Sequence, residues 1–122
     1  MALHRLTYVS TAKAGLTAAD IEEIVETARQ RNGELDVTGL LLFNGLNFLQ
    51  TLEGEEAKLR ALITRIAADP RHHGLVIVAD HACDKRVFAT WTMGYSELQA
   101  STRRPAHQSG NGFSQAHIST PL

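Results

Sequence analysis

The chain has 122 residues, 43% of them hydrophobic and 20% charged, which is typical of one folded domain with a single hydrophobic core. Lys and Arg number 12 against 13 Asp and Glu, a net charge of −1 that argues against a nucleic-acid-binding module. Cys83 is the only cysteine, so no internal disulfide can form. The sequence also lacks an apolar run of about 18 residues, so we expect a cytoplasmic protein without a membrane partner.

The first elements are a strand and a helix. Residues 3–9 alternate loosely between apolar and polar types and include β-branched and aromatic side chains, which favours a strand. Thr17 and Asp20 have the spacing of a capping box at a helix start. Apolar residues then recur at helical spacing, and Asn32-Gly33 is a typical C-terminal signal. We therefore predict a helix that ends near residue 33.

A hairpin follows the first helix. Asn44-Gly45 is a strong turn signal, and it separates two segments rich in strand formers, 36–43 and 47–54. Strand alternation places Gln50 on the same face as two large apolar residues. A buried amide needs hydrogen-bond partners, so Gln50 requires an explanation beyond packing.

The second half of the sequence predicts one helix and two strands. The helix has an apolar stripe and stops at Pro70. Residues 74–80 form a nearly continuous apolar run, which predicts a central strand buried on both faces. Residues 87–95 alternate and predict a last strand. From about Ser96 the composition becomes polar, which predicts a mobile tail.

The order of elements predicts an α+β fold of the ferredoxin-like type. The pattern β-α-β-β-α-β places two helices on one face of a mixed, mainly antiparallel sheet, with an additional C-terminal strand. We predict one domain over residues 1–95 and a polar tail over residues 96–122, in which a short helix is compatible with the composition.

The sequence contains none of the common catalytic signatures, such as GxGxxG, GxSxG or CxxC. Adjacent His72 and His73 point to opposite sides of an extended chain, which is poor spacing for metal ligands. The less ordinary residues are Tyr8, Asn32, Gln50, Trp91 and Met93. Each alone is compatible with core packing or a helix end. Composition and periodicity therefore lead no further than a ferredoxin-like domain.

Five stretches in order, however, resemble the BLUF family, the sensors of blue light using flavin. The resemblance covers residues 3–95, and the stretches are RLTYVS, RNGELDVTGLLLF, FLQTLEG, ADPRH and RVFATWTMGY. It implies a blue-light photoreceptor that binds FAD, with FMN as the alternative, and that performs no catalysis.

The resemblance also implies where the flavin lies. Its ring would sit between the two helices, flanked by Ile24 and Ile66. Asn32 would hydrogen-bond the polar edge of the ring, because an amide both donates and accepts. Family members contact the ribityl and phosphate groups at four further positions, which correspond to Arg31, Arg65, Asp69 and His72. For the two arginines, a solvated helix end is the alternative interpretation.

The same resemblance implies a switch at Gln50, whose amide would bridge the Tyr8 hydroxyl and the flavin. On illumination Tyr8 would supply an electron and a proton, and Gln50 would rotate or tautomerise. A stronger hydrogen bond to a flavin carbonyl would then shift the absorption slightly to the red. Ser10 would brace this network, while Trp91 and Met93 would couple it to the sheet. The sequence leaves open which of those two packs inward.

The short tail leads us to expect no effector enzyme in this chain. The output would then pass through a separate protein partner or through self-association as a homo-oligomer. Two other interpretations stay open at this point. One is a flavin-dependent enzyme, for which His72 is the nearby acid or base. The other is a ferredoxin-like interaction protein that has lost its cofactor.

Overall fold

The structure is a computed structural model, and it describes residues 2–98 and 116–118. Within those residues the chain forms six strands and two helices. They are β1 (Leu3–Ala12), α1 (Ala18–Leu35), β2 (Thr38–Phe43), β3 (Asn47–Glu55), α2 (Glu56–Ala67), β4 (His72–Cys83), β5 (Gly94–Leu98) and β6 (Ala116–Ile118).

The six described strands form one mixed sheet in the order β4-β1-β3-β2-β5-β6. β1 is antiparallel to both β3 and β4, and β2 is antiparallel to β3. β5 adds to the sheet parallel to β2, and β6 is antiparallel to β5. The arrangement confirms the predicted ferredoxin-like fold with an additional strand, and its helices cover one face of the sheet. Neither described helix is long and apolar enough to cross a membrane.

Helix α1 begins as the sequence predicts. Thr17 accepts a hydrogen bond from the Asp20 amide, and the Asp20 carboxylate accepts one from the Thr17 amide. The bond from the Thr17 backbone lowers the pKa of Asp20. The predicted end near Gly33 is wrong, because the helix continues to Leu35 and Asp36 takes the left-handed conformation with φ 56°. An aspartate tolerates that region better than most residues, so no glycine is needed there.

Strand β4 corrects a second prediction. Residues 74–80 were expected to form a central strand buried on both faces, but β4 is an edge strand of the sheet. Val76 and Val78 are each 56% exposed. An apolar run indicates a strand but does not reveal whether other strands or helices cover it, since that depends on distant parts of the chain.

The predicted last strand over residues 87–95 is also wrong for most of its length. Residues 87–93 form turns and bends, and β5 begins only at Gly94. The Val87 and Phe88 amides donate to the Glu53 carboxylate, so these donors are not available to a strand ladder. β5 starts within the predicted strand and runs into the segment predicted as a tail, β6 lies wholly in that segment, and the remaining tail residues lie outside the described ones. The domain limit at residue 95 stays a prediction.

The hydrophobic core lies between the sheet and the two helices. Phe43 and Phe48 stack at the β2–β3 hairpin with ring centroids 4.7 Å apart. Helix α2 buries Leu59, Leu62 and Ile66, and helix α1 buries Ile21, Val25 and Ala28. An opening between the helices, above this core, is where the candidate site lies.

Candidate functional site

A cleft opens between α1 and α2, with residues of strands β1, β2 and β3 on its floor. Its walls bring together seven of the residues that the sequence predicted for the site, namely Tyr8, Ile24, Arg31, Gln50, Ile66, Asp69 and His72. Ile24 on α1 and Ile66 on α2 thus border the same cleft.

The floor of the cleft carries a buried hydrogen-bonded pair. Tyr8 and Gln50 are opposite each other in the β1–β3 register, and the Tyr8 hydroxyl donates to Gln50 Oε1 at 2.5 Å. The other end of the amide, Nε2, donates to Met93 Sδ at 3.4 Å. Burial raises the pKa of Tyr8, so the hydroxyl keeps its proton. The amide is held by one strong and one weak partner, because a thioether is a poor acceptor.

His72 links the floor to the α2 side of the cleft. Its Nε2 lies 2.6 Å from the Ile66 carbonyl oxygen, and its Nδ1 lies 2.7 Å from Ser10 Oγ. A carbonyl only accepts, so Nε2 donates, and in that tautomer Nδ1 accepts from the Ser10 hydroxyl. Ser10 does not line the cleft, but this bond attaches it to a residue that does.

Charge in the cleft comes mainly from Arg31. The side chain is half-buried, and its Nε atom is fully buried without a hydrogen-bond partner among the described residues. Burial and the nearby charge of Arg65 lower the pKa of Arg31. Asp69 does not neutralise it, because the Asp69 carboxylate pairs with Arg71 at 2.6 Å, and that hydrogen bond lowers the Asp69 pKa. Arg31 is therefore suited to an anionic group of a ligand.

Asn32 lies next to the cleft and not on its wall. Its side chain is completely buried, and Nδ2 donates to the Thr92 carbonyl at 2.9 Å. Asn32 Oδ1 is buried and has no partner among the described residues. A buried acceptor without a donor is rare, and a ligand N–H group would satisfy it. With the aliphatic pair across the cleft and the Arg31 cation, these groups fit a flavin nucleotide.

Two predicted residues lie away from the cleft. Arg65 is exposed on α2. Trp91 is half-buried and packs against Phe88, with ring centroids 5.9 Å apart. Met93, by contrast, is fully buried and touches the Gln50 amide.

Sequence reasoning missed several residues of the cleft wall. They are Thr27, Ala28, Leu41, Phe48 and Arg71. The apolar ones were counted only as core. Arg71 is part of the ADPRH stretch, two residues after Asp69 and directly before His72, and this position is the signal in the sequence.

Comparison with known proteins decides what kind of domain this is. Residues 3–94 match the sequence model of the family described as sensors of blue-light using FAD. The chain belongs to the BLUF family. BLUF domains bind flavin and sense blue light, and the match covers both helices and strands β1 to β4.

Several relatives share this BLUF domain. The dark-state structure of the BLUF protein BlrB is 36% identical, with 80% of this chain and 74% of that chain covered and a TM-score of 0.77. The blue light- and temperature-regulated antirepressor BluF of Escherichia coli (strain K12) is 41% identical over 69% of this chain and 21% of its own length. The photoactivated adenylate cyclase subunit alpha of Euglena gracilis is 33% identical over 85% of this chain and 10% of its own. The chain thus spans only a small part of these last two relatives.

Proposed function

We propose that this chain senses blue light by rearranging the hydrogen bonds of Tyr8 and Gln50 around a flavin, and that it signals to a separate partner. The observation that carries the proposal is the 2.5 Å bond between the Tyr8 hydroxyl and Gln50 Oε1 on the floor of the cleft. A buried amide in contact with a buried phenol can reverse its donor and acceptor ends, whereas a purely structural core has no use for that property.

The flavin is FAD, with FMN as the alternative. The protein positions it, with Ile24 and Ile66 on the two sides of the ring and Asn32 Oδ1 at its polar edge. Arg31, Arg65, Asp69 and His72 would hold the ribityl and phosphate side of the flavin, and the two arginines offer charge-assisted hydrogen bonds to phosphate. Arg31 contributes more to flavin affinity than Arg65, because Arg31 is half-buried and the charge of the exposed Arg65 is screened by water and salt.

When bound, the flavin supplies light absorption and an excited state that is a strong oxidant. Tyr8 would donate an electron and its hydroxyl proton to this oxidant and then take both back, which leaves no net oxidation. Gln50 would rotate or tautomerise in between, so that its amide N–H is free to donate to the flavin and the contact with Met93 Sδ is lost. Ser10, through His72, holds the neighbouring strand end in place. The net result is a changed hydrogen-bond pattern without a chemical product.

The output leaves through a separate protein or through self-association, and the domain over residues 1–95 performs no catalysis itself. The exposed apolar side chains of β4, Val76 and Val78, favour an interaction on that side of the sheet, since an exposed apolar edge strand promotes association. The protein works in the cytoplasm, where a free Cys83 thiol is stable.

The test is an absorption spectrum of the purified, flavin-loaded protein in the dark and after blue illumination. We expect a flavin spectrum that shifts slightly to the red and recovers in darkness. Bleaching of the flavin would contradict the proposal and point to photoreduction or a thiol adduct. A protein that takes up no flavin after reconstitution would remove the function and leave the fold intact.

A further inference from the structure

Glu53 is a completely buried carboxylate on β3, three residues after Gln50. Since side chains alternate along a strand, Glu53 and Gln50 face opposite sides of the sheet. Glu53 Oε2 accepts from Arg5 Nε at 2.9 Å and from the Val87 amide at 2.7 Å. Oε1 accepts from the Phe88 amide at 2.9 Å and from Thr38 Oγ1 at 3.3 Å. A buried charge of this kind persists only when it is paired and bonded as fully as here.

Arg86 strengthens the same attachment. It donates to Thr38 Oγ1 at 2.8 Å, to the Glu53 carbonyl at 3.0 Å and to the Asp36 carbonyl at 2.8 Å. The start of the 86–93 segment is therefore bonded through backbone and side chain to strands β2 and β3.

The end of the 86–93 segment is attached at the flavin side of the sheet. The Trp91 carbonyl accepts from the Gly39 amide at 2.9 Å, and the Thr92 carbonyl accepts from Asn32 Nδ2. Met93 accepts from Arg29 Nε through its carbonyl and from Gln50 Nε2 through its sulfur. One segment thus connects Glu53 on one face with Gln50 on the other.

We propose that Glu53 is a positioning residue of the light response: it fixes residues 86–88, so that a change at Gln50 moves only residues 91–93. This inference rests on the proposed function and concerns how the signal leaves the site. The two ends differ in their contact with the switch. Residues 87 and 88 are held by strong hydrogen bonds to the buried Glu53 carboxylate, whereas Gln50 touches the other end only through a weak bond to the Met93 thioether, beside the backbone bonds already described. Rearrangement of Gln50 breaks the weak contact and leaves the strong one. The segment then pivots about its fixed start.

The test is amide hydrogen exchange by NMR on the full flavin-loaded chain, in the dark and under blue light, with the Glu53→Gln variant. In the unmodified protein we expect the Val87 and Phe88 amides to stay protected in both states, while light changes exchange at residues 91–93. Glu53→Gln removes the negative charge and replaces one of the two acceptor oxygens with an NH₂ group that faces donors. It should keep the flavin and the red shift, raise exchange at Val87 and Phe88 about tenfold, and abolish the light-dependent change at residues 91–93.

The matched control is Glu34→Gln, which removes a carboxylate from the exposed part of α1 and should behave like the unmodified protein. A light-dependent change at residues 91–93 that persists in Glu53→Gln, or that is absent from the unmodified protein despite a red shift, would overturn the proposal. If Glu53→Gln does not fold, Arg86→Gln is the deciding variant. It should also abolish the light-dependent change in amide exchange at residues 91–93. A change of normal size in Arg86→Gln would overturn the inference. Absence of the red shift in the unmodified protein overturns the proposed function instead, before any variant is made.

Discussion

Tyr8 and Gln50 are directly paired across strands β1 and β3, and the Tyr8 hydroxyl donates its only proton to Gln50 Oε1. The same amide donates from Nε2 to Met93 Sδ, so its two ends have different partners. Turning the amide over therefore changes both contacts at once. An N–H group would face the Tyr8 oxygen, and the contact with Met93 would be lost.

Replacing Tyr8 by Phe should abolish the red shift and leave flavin binding intact. The substitution removes one hydroxyl and keeps the shape of the cleft floor, and the unsatisfied Gln50 oxygen should lower the free energy of unfolding by about 1 kcal/mol. The measurement is the light-minus-dark absorption difference. The control variant Tyr95→Phe changes the other tyrosine of the chain, which does not line the cleft, and its flavin absorption should show the normal red shift. A normal photocycle in Tyr8→Phe would show that another group supplies the electron.

Replacing Gln50 by Leu should also remove the red shift, but with little loss of stability. The lost amide had only one strong partner, and the gain from a buried aliphatic side chain offsets the unpartnered Tyr8 hydroxyl to within about 1 kcal/mol. Urea unfolding checks this, with Gln30→Leu on the exposed side of α1 as the control. The double variant with Tyr8→Phe should be more stable than Gln50→Leu alone, because it removes the orphaned hydroxyl. If Gln50→Leu alone were the more stable of the two, the hydrogen bond between Tyr8 and Gln50 would be contradicted.

Alkaline pH should lower the free energy of unfolding, in part through Tyr8. Burial raises the pKa of Tyr8 above its ordinary value of about 10, so in base the unfolded chain loses this proton before the folded one does. The contribution of the Tyr8 hydroxyl to the free energy of unfolding is fully present below pH about 10, and it falls as the pH rises further. Urea unfolding between pH 8 and about 11 should show the unmodified protein losing more stability than Tyr8→Phe. Parallel curves for the two proteins would contradict a buried, protonated Tyr8.

Replacing Arg31 by Ala should weaken FAD more than riboflavin. Charge-assisted bonds to phosphate are strong, so we expect the affinity for FAD to fall about tenfold or more and that for riboflavin, which lacks phosphate, to stay nearly unchanged. Arg65→Ala, at an exposed position, should lower the affinity for FAD by a smaller factor. Titration of the apoprotein with both ligands measures this. Equal losses for FAD and riboflavin would mean that Arg31 shapes the cleft without binding phosphate.

Two glycines should respond in opposite directions to alanine. A Cβ on Gly39 would lie 2.0 Å from the Thr51 carbonyl oxygen, so Gly39→Ala must push β2 from β3 and should destabilise the protein by about 2–3 kcal/mol. Gly33 lies inside α1, and a Cβ there would meet only the Thr92 methyl group at 3.8 Å. Gly33→Ala should therefore stabilise by about 0.5–1 kcal/mol. Thermal unfolding of both variants checks the pair, and a loss of stability in Gly33→Ala would contradict the helical assignment.

Local signals predicted those parts of the fold that local interactions decide. The Thr17–Asp20 capping box and the alternation that buries Gln50 are properties of a few consecutive residues, and both are present in the structure. The end of α1 was placed too early because Asp36, without any glycine, adopts the left-handed conformation.

Parts of the chain that depend on distant partners were predicted wrongly. Residues 87–93 alternate like a strand, yet the Glu53 carboxylate, more than 30 positions earlier, takes up two of their backbone donors. The apolar run of β4 likewise does not reveal that it forms an edge strand. Within the site, the Tyr8–Gln50 pair followed from the family resemblance, whereas the fold was required to show that Met93 and not Trp91 contacts Gln50.

Tyr8 and Gln50 both lie in strands that are paired on two sides: β1 runs between β3 and β4, and β3 runs between β1 and β2. Such interior strands open only when the whole domain unfolds. A light cycle at this position therefore rotates side chains while the backbone hydrogen bonds between the strands stay formed. Under the proposed function, the dark state can therefore be restored after each light cycle without any refolding of the domain.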